Sequence, residues 1–173
     1  MPIVRAFTLI RLVTVAHIIL GYYLIARPQK LAEINSIAII GDAVGLQQPT
    51  SHLWQNPLGA GFAGLALILL AVSDFVAVSS TEELARHYWG AQGPVRCLFF
   101  GSLTSYIYFM KPGRDKMYDQ TTPQPIINSI IFSWAFFETV YWFWIYTNLR
   151  EELAEARARI TQRKKMQDEI ATL

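Results

Sequence analysis

Residues 130–146 of this chain have the sequence "IIFSWAFFETVYWFWIY". It is apolar and aromatic at nearly every position, yet it carries one carboxylate, Glu138, near its middle. An ionisable group inside a membrane span is energetically costly and usually faces inward to a partner. The rest of the sequence therefore has to provide further spans and a partner for Glu138.

The composition excludes several classes of protein. Of the 173 residues, 53% are hydrophobic and 16% are charged, which fits at most one domain and is too apolar for an ordinary small soluble fold. The net charge is +2 and no basic patch is interleaved with aromatic residues, so we expect no nucleic-acid partner. The single cysteine, Cys97, excludes an intramolecular disulfide and a cysteine zinc site.

Four apolar segments follow one another along the chain, at residues 5–26, 57–78, 94–110 and 125–148. Each approaches the ~20 residues that cross a bilayer at ~1.5 Å per residue, with the third at the short limit. The first segment is interrupted by Arg11 and His17 and lacks a clean cleavage site, so we expect a retained helix, not a signal peptide. The sequence thus predicts an all-α polytopic membrane protein with four transmembrane helices in residues 1–149.

The connecting segments predict three further helical features. Residues 31–44 have helical apolar spacing but are too short to cross, which predicts a short interfacial helix. Residues 79–93 predict a short surface helix that ends at a break before Pro94. Residues 150–173 alternate in charge and predict a charged helical tail, with a solvated stalk favoured over a coiled coil. The Lys and Arg residues of the flanks, mainly those of the tail, predict that both termini face the cytosol.

Apart from Arg5 at the very start of the first span, each span contains one charged side chain, namely Arg11, Asp74, Arg96 and Glu138. Measured at ~1.5 Å per residue from the presumed cytosolic ends, all four fall in the same half of the bilayer. We therefore expect a neutral cluster that ties the helices together, in which Glu138 meets Arg11 and Asp74 meets Arg96; the reverse pairing stays open. Bundle architecture is the favoured role of this cluster. The alternative is a proton or ion relay that includes the deeper His17.

Two surfaces of the predicted spans are suited to contact with other helices or lipid. In the second span, small residues four positions apart allow a close helix neighbour, either within the chain or from another protein: Gly59 with Ala63, and Ala60 with Gly64. The fourth span is aromatic around its circumference, and a candidate face for lipid or a partner contains Trp134, Phe137, Tyr141 and Trp142.

Motifs that carry catalysis are not found in the sequence. There is no HExxH, GxSxG, P-loop or GxGxxG pattern, and the three histidines are not at metal-ligand spacing. We therefore expect no catalytic residues, no metal and no cofactor.

Several motifs, in order, resemble the fungal family called increased loss of mitochondrial DNA protein. An acid ends span two at Asp74, Pro-Val-Arg opens span three at residues 94–96, a glutamate lies within span four at Glu138, and Leu-Arg-Glu-Glu follows at residues 149–152. The resemblance implies a membrane protein of the endoplasmic reticulum whose loss indirectly harms maintenance of the mitochondrial genome. It implies no catalytic residue.

These observations together predict a non-catalytic integral membrane protein. We expect it to contact membrane lipid and to bind a membrane-protein partner, whose folding, assembly or export it supports. The expected location is the endoplasmic reticulum membrane, with a mitochondrial membrane as the alternative. Two other functions stay open: a small transporter or channel that uses the charge cluster, and a non-catalytic subunit of a lipid-modifying enzyme.

Overall fold

A computed structural model describes residues 5–32, 34–46, 57–111 and 126–171. Every regular element in these ranges is a helix, and the helices are α1 (Ala6–Ala26), α2 (Gln29–Ala32), α3 (Asn35–Val44), α4 (Pro57–Val78), α5 (Glu82–Met110) and α6 (Ser129–Ala171). The predicted all-α class is confirmed. Two helical segments, Ala6–Ala26 and Leu58–Val78, are long and apolar enough to cross a membrane.

The four long helices associate as two pairs. α1 packs mainly against α4, and α5 packs mainly against α6, while α1 also touches α6 and α4 touches α5. Within the first pair the backbones approach closely, because a Cβ atom on Gly64 would lie 2.7 Å from the carbonyl oxygen of Gly21. Ala60 and Gly64 are buried in the chain, whereas Gly59 and Ala63 are exposed. One of the two predicted small-residue pairs therefore lies at an internal helix contact.

α5 is continuous through Pro94, so the predicted break before that residue is wrong. Proline cannot donate to the carbonyl of Gly90, and its ring needs space near that turn. Gly90 has no side chain, and a Cβ atom built on it would meet no neighbouring helix within 4 Å. Trp89 and Gly93, which lie in the turn before Pro94, are buried. Packing of one uninterrupted helix thus outweighs the lost hydrogen bond.

Two apolar cores lie toward opposite ends of the bundle. The tail-side core joins all four long helices and consists of Ala6, Leu9, Ile10, Val13, Val78, Ala85, Trp89, Trp142, Ile145 and Leu149. The loop-side core joins α5 and α6 with the end of α3 and centres on Leu46, Ile107 and Phe132. The polar network described below lies beside the tail-side core and shares Trp89 and Trp142 with it.

The charged tail is a direct continuation of the fourth predicted span. α6 has 43 residues and is therefore ~65 Å long, and it has no break near Leu149. Glu152 connects the base of the tail to the bundle, since its Oε1 accepts the backbone N–H of Ala6 at 2.9 Å. Farther out, the described side chains are exposed, as at Arg163 and Lys165.

Candidate functional site

The candidate site is a network of buried polar side chains to which all four long helices contribute. The exposed fractions are 9% for His17 on α1, 4% for Asp74 on α4 and 6% for Glu138 on α6. Arg96 on α5 completes the set, with its side chain 22% exposed. Burial of charged groups is tolerated only when they are paired and hydrogen-bonded. The network therefore depends on the partners of each group.

Asp74 and Arg96 form a two-pronged ion pair. The two terminal nitrogens of Arg96 donate to the two carboxylate oxygens of Asp74 at 2.6 and 2.7 Å. Paired charge-assisted hydrogen bonds of this kind are the strongest that side chains form. The predicted partnership of Asp74 with Arg96 is therefore present in the structure, and it connects α4 of one helix pair to α5 of the other.

The Arg96 guanidinium also contacts the rings of two tryptophans, Trp89 and Trp142. Trp89 and Trp142 are stacked, with ring centroids 5.5 Å apart and an interplanar angle of 16°. The guanidinium carbon lies 4.8 Å from the Trp142 centroid and 5.2 Å from that of Trp89. Arginine over an aromatic face gains cation–π attraction, and more so when desolvated. The stack thus joins α5 to α6 at the position of the ion pair.

Glu138 uses both of its oxygens. Nε2 of His17 hydrogen-bonds to Oε1, and Nε1 of Trp142 donates to Oε2 at 2.8 Å. The predicted contact of Glu138 with Arg11 is wrong, because Arg11 is exposed. Six residues separate Arg11 from His17, which places them ~120° apart around α1 at 3.6 residues per turn. The buried face of α1 therefore presents the histidine, and Arg11 lies on the surface.

The network is continuous from α4 to α1. Asp74 binds Arg96, Arg96 lies over Trp142, Trp142 donates to Glu138, and Glu138 binds His17. Opposite charges meet within this chain of contacts, so its members compensate one another inside the bundle. Its chemistry is that of a cross-link between the two helix pairs. In the described ranges, no group of three or more His, Cys, Asp or Glu side chains is placed to hold a metal ion.

The predicted aromatic face of the fourth span is divided between two environments. Trp142 is only 1% exposed, so its assignment to a lipid or partner face is wrong. Trp134 is half-buried and meets Phe100 edge-on at 5.2 Å. Phe137 and Tyr141 are exposed at 47% and 36%. The outward aromatic surface is therefore narrower than the sequence suggests.

His17 and Trp142 are the network residues whose roles the sequence reasoning missed. Ile10, Val13 and His17 recur at helical spacing on one apolar face of α1, and this pattern could have indicated burial of the histidine. Trp142 follows Glu138 by four residues, a spacing at which side chains on a helix meet. In a helix that is aromatic all round, that signal is not distinctive.

Comparison with known proteins adds a family. The family model described as "Increased loss of mitochondrial DNA protein 1" matches residues 4–159, which include every member of the network. Protein ilm1 of Schizosaccharomyces pombe (strain 972 / ATCC 24843) is 23% identical over 144 residues, covering 83% of this chain and 78% of the relative. No solved structure matches the chain.

Proposed function

The chain belongs to the increased loss of mitochondrial DNA protein 1 family, and from this premise we propose that it is a four-span membrane protein that acts by binding. Its partner is another membrane protein, whose folding, assembly or export it supports without catalysis. The family name refers to loss of mitochondrial DNA. In this proposal that loss is an indirect result of a partner that fails to mature.

The apolar outer surface of α5 and α6 supports the assignment of the third and fourth spans. On α5, Leu98 and Phe109 are exposed at 70% and 77%. On α6, Phe136 and Phe143 are exposed at 42% and 59%. Large contiguous apolar surface is unfavourable in water and marks contact with lipid or protein. Both helices pack beside α1 and α4, which are themselves apolar enough to cross.

One observation carries the proposal of a binding function. The buried ionisable side chains are paired with one another, as Asp74 with Arg96 and His17 with Glu138, while the outward faces of the helices are apolar. The paired side chains already have their hydrogen-bond partners within the protein. The outward apolar faces of the helices are suited to contacts with other helices and with lipid. Such a surface recognises membrane helices and acyl chains.

We place the protein in the endoplasmic reticulum membrane, with both termini in the cytosol and a mitochondrial membrane as the alternative. Basic residues of the tail support this orientation, because cytosolic flanks of spans are enriched in Lys and Arg. Single-cysteine variants at Thr161 and Ser79, made in a Cys97→Ala background, test the topology by labelling with a membrane-impermeant thiol reagent. Both positions are exposed, and labelling of both from the cytosolic side is the expected result.

The function itself is tested by affinity purification of the tagged chain in mild detergent, followed by mass spectrometry of proteins and lipids. We expect one membrane protein to co-purify in stoichiometric amount and to mislocalise when the chain is deleted. The matched variant is Glu138→Gln, which disturbs the network without replacing any residue of the outer surface. Turnover of a lipid substrate by the purified chain, lost in Glu138→Gln, would contradict the proposal. Co-purification with a catalytic partner would instead favour a subunit of a lipid-modifying enzyme.

The connected network gives specific support to a second candidate, a small transporter or channel. Chains of titratable groups within membrane helices carry protons in pumps and transporters. In this protein, however, the contacts of the network connect one helix to the next between the two pairs, as expected of a structural cross-link. Ion or proton flux into liposomes that disappears in His17→Ala and Glu138→Gln would favour the transporter.

A further inference from the structure

One side of α6 is covered over only part of its length. Ser129, Ser133, Phe136 and Val140 follow one another at intervals of four, three and four residues and so lie on the same side of the helix, here named the outer face of α6. Ser129 and Ser133 are buried, at 0% and 1% exposure, whereas Phe136 and Val140 are exposed at 42% and 49%. Part of this face is therefore occupied within the chain and part is open.

The helix that packs against the serine end of the outer face is α3. A Cβ atom on Gly41 would lie 2.6 Å from the Cβ of Ser129, so the glycine allows the two helices to touch almost backbone to backbone. Small residues at such contacts are typical of helices that associate within membranes. α3 thus occupies the kind of groove that a membrane helix of another protein would use.

The two serine hydroxyls in this groove are unpaired. In the described ranges, neither the Oγ of Ser129 nor that of Ser133 has a hydrogen-bond partner. Elsewhere in the long helices, Ser105 and Thr139 donate to the carbonyl four residues earlier, at 2.8 and 2.7 Å. A buried polar group without a partner is unfavourable. α3 therefore packs closely on Ser129 but provides no hydrogen-bond partner for its hydroxyl.

The described attachments of α3 lie mainly toward its C-terminal end. Gly45 ends the helix with a left-handed φ of 72°. The carbonyl of Val44 accepts a hydrogen bond from Nζ of Lys111 at 2.7 Å, where the ammonium also complements the helix dipole. Ile40 and Val44 pack on the loop-side core, while Ile39 is 67% exposed. Gly41 lies in the same half of the helix, so displacing α3 from α6 requires the loss of these contacts together with the contact between Gly41 and Ser129.

We propose that α3 is a displaceable strap over the site where α6 receives a membrane helix of the partner protein. The incoming helix lies along the outer face of α6 and presents an amide or hydroxyl side chain to Ser129 and Ser133. Its small residues then replace Gly41 at the close contact. This inference rests on the proposed function and deepens it, because it names the docking surface and the chemistry of the partner.

The binding step is tested with two synthetic membrane-spanning peptides in phosphatidylcholine vesicles that contain the full chain. One is a leucine helix with small residues four apart and a single asparagine, and the other has leucine in place of the asparagine. Binding is measured by energy transfer between peptide and protein. We expect the asparagine peptide to bind at least about threefold more tightly than the leucine peptide, which corresponds to the energy of one interhelical hydrogen bond in a membrane. Ser129→Ala with Ser133→Ala should abolish the preference. The matched control is Ser102→Ala with Ser105→Ala, at exposed positions of α5.

Displacement of the strap is tested separately, by thiol labelling of Ser129→Cys in a Cys97→Ala background, because Ser129 is the residue that α3 covers at Gly41. Gly41→Leu should push α3 away from α6, so that the thiol reacts faster and the asparagine peptide binds more tightly. The control is Gly61→Leu on α4, since a Cβ atom there meets nothing within 4 Å. Unchanged labelling and unchanged peptide affinity in Gly41→Leu would overturn the proposal.

The remaining outcomes separate this inference from the proposed function. If a native partner co-purifies equally with wild type and with the double serine variant, and the two peptides bind equally, the strap is wrong and the binding function stands. If the asparagine peptide binds at the serines but no native partner is found, the function fails and the groove stands. If the purified chain retained a lipid that the double serine variant lost, the groove would be a lipid site. If self-association were lost in that variant, the groove would bind a second copy of the chain. Either result would also overturn the proposal.

Discussion

Among single residues, Arg96 is fixed by contacts of two kinds. Its guanidinium forms both hydrogen bonds to Asp74 and lies over the rings of Trp89 and Trp142. Both interactions need a planar, forked cation, which lysine does not provide. The charge alone therefore does not explain the use of arginine at this position.

Replacing Arg96 by lysine should destabilise the protein although the charge is kept. We expect a loss of about 1.5–3 kcal/mol in the free energy of unfolding in detergent, the range for hydrogen bonds to charged groups. Arg86→Lys is the control, because Arg86 pairs with the exposed Glu82 one turn away on the surface of α5. Its expected cost is about 0–1 kcal/mol. Equal losses in the two variants would argue against a special role for the guanidinium.

Trp142→Phe separates the ring of Trp142 from its N–H group. The phenyl ring can still stack near Trp89, but Oε2 of Glu138 loses its donor. A loss of about 1–3 kcal/mol in stability is expected for a buried acceptor left without its partner. Trp144→Phe is the control, since Trp144 is 47% exposed on the same helix. A thermal melt in which the two variants behave alike would contradict the assigned hydrogen bond.

Sequence reasoning identified the residues of the network better than their partners. Asp74, Arg96 and Glu138 stand out because charges are rare within apolar spans, and their levels follow from helix geometry. The rotation of α1 about its own axis does not follow, because this helix is apolar on nearly every side. Arg11 and His17 are therefore equally available in the sequence, and only packing shows that His17 faces Glu138.

Among the helices, α1 and α4 approach each other closely enough for their backbones to touch. A Cβ atom on Gly64 would meet the backbone oxygen of Gly21 at 2.7 Å, and backbone cannot move aside as a side chain can. Gly64→Ala should therefore cost about 1–3 kcal/mol in stability. Gly61→Ala should instead be neutral or stabilising by about 0.5–1 kcal/mol, because its Cβ is unobstructed and alanine favours helix. The reverse order in unfolding experiments would contradict the contact.

The start of α1 is capped from the far end of the sequence. Glu152 accepts the N–H of Ala6, and a carboxylate at a helix N-terminus also complements the helix dipole. Glu152→Ala should lower stability by about 0.5–2 kcal/mol and speed hydrogen exchange in the first turn of α1. Glu151→Ala is the matched control at an exposed neighbouring position. If the two variants exchanged at the same rate in this turn, the cap would be excluded.

The boundaries of the helices were harder to predict from the sequence than the helices themselves. The Gly93–Pro94 dipeptide normally ends a helix, yet α5 continues through it, and Trp89 in the preceding turn packs on Trp142. The interfacial helix was expected from residue 31 but α3 begins at Asn35, after the separate short helix α2. At Pro94 the local signal is overridden by tertiary packing.

The whole molecule is two helix pairs joined by a layer of polar and aromatic side chains. α1 with α4 and α5 with α6 form the extensive contacts, and the contacts between the pairs include the Asp74–Arg96 and His17–Glu138 interactions. Hydrophobic association is weak between helices in lipid, so polar contacts and close packing determine how membrane helices assemble. The network therefore contributes to how the two pairs are placed relative to each other.

The most direct test of this account is a pair of double-mutant cycles on the free energy of unfolding in detergent. Glu138→Leu leaves His17 without its partner, so adding His17→Leu should cost less than the sum of the single changes, with a coupling of about 0.5–1.7 kcal/mol. Glu138→Leu and Arg11→Leu should be additive to within about 0.5 kcal/mol, because Arg11 is exposed and apart from the network. Coupling of Glu138 to Arg11, with additivity between Glu138 and His17, would contradict the account.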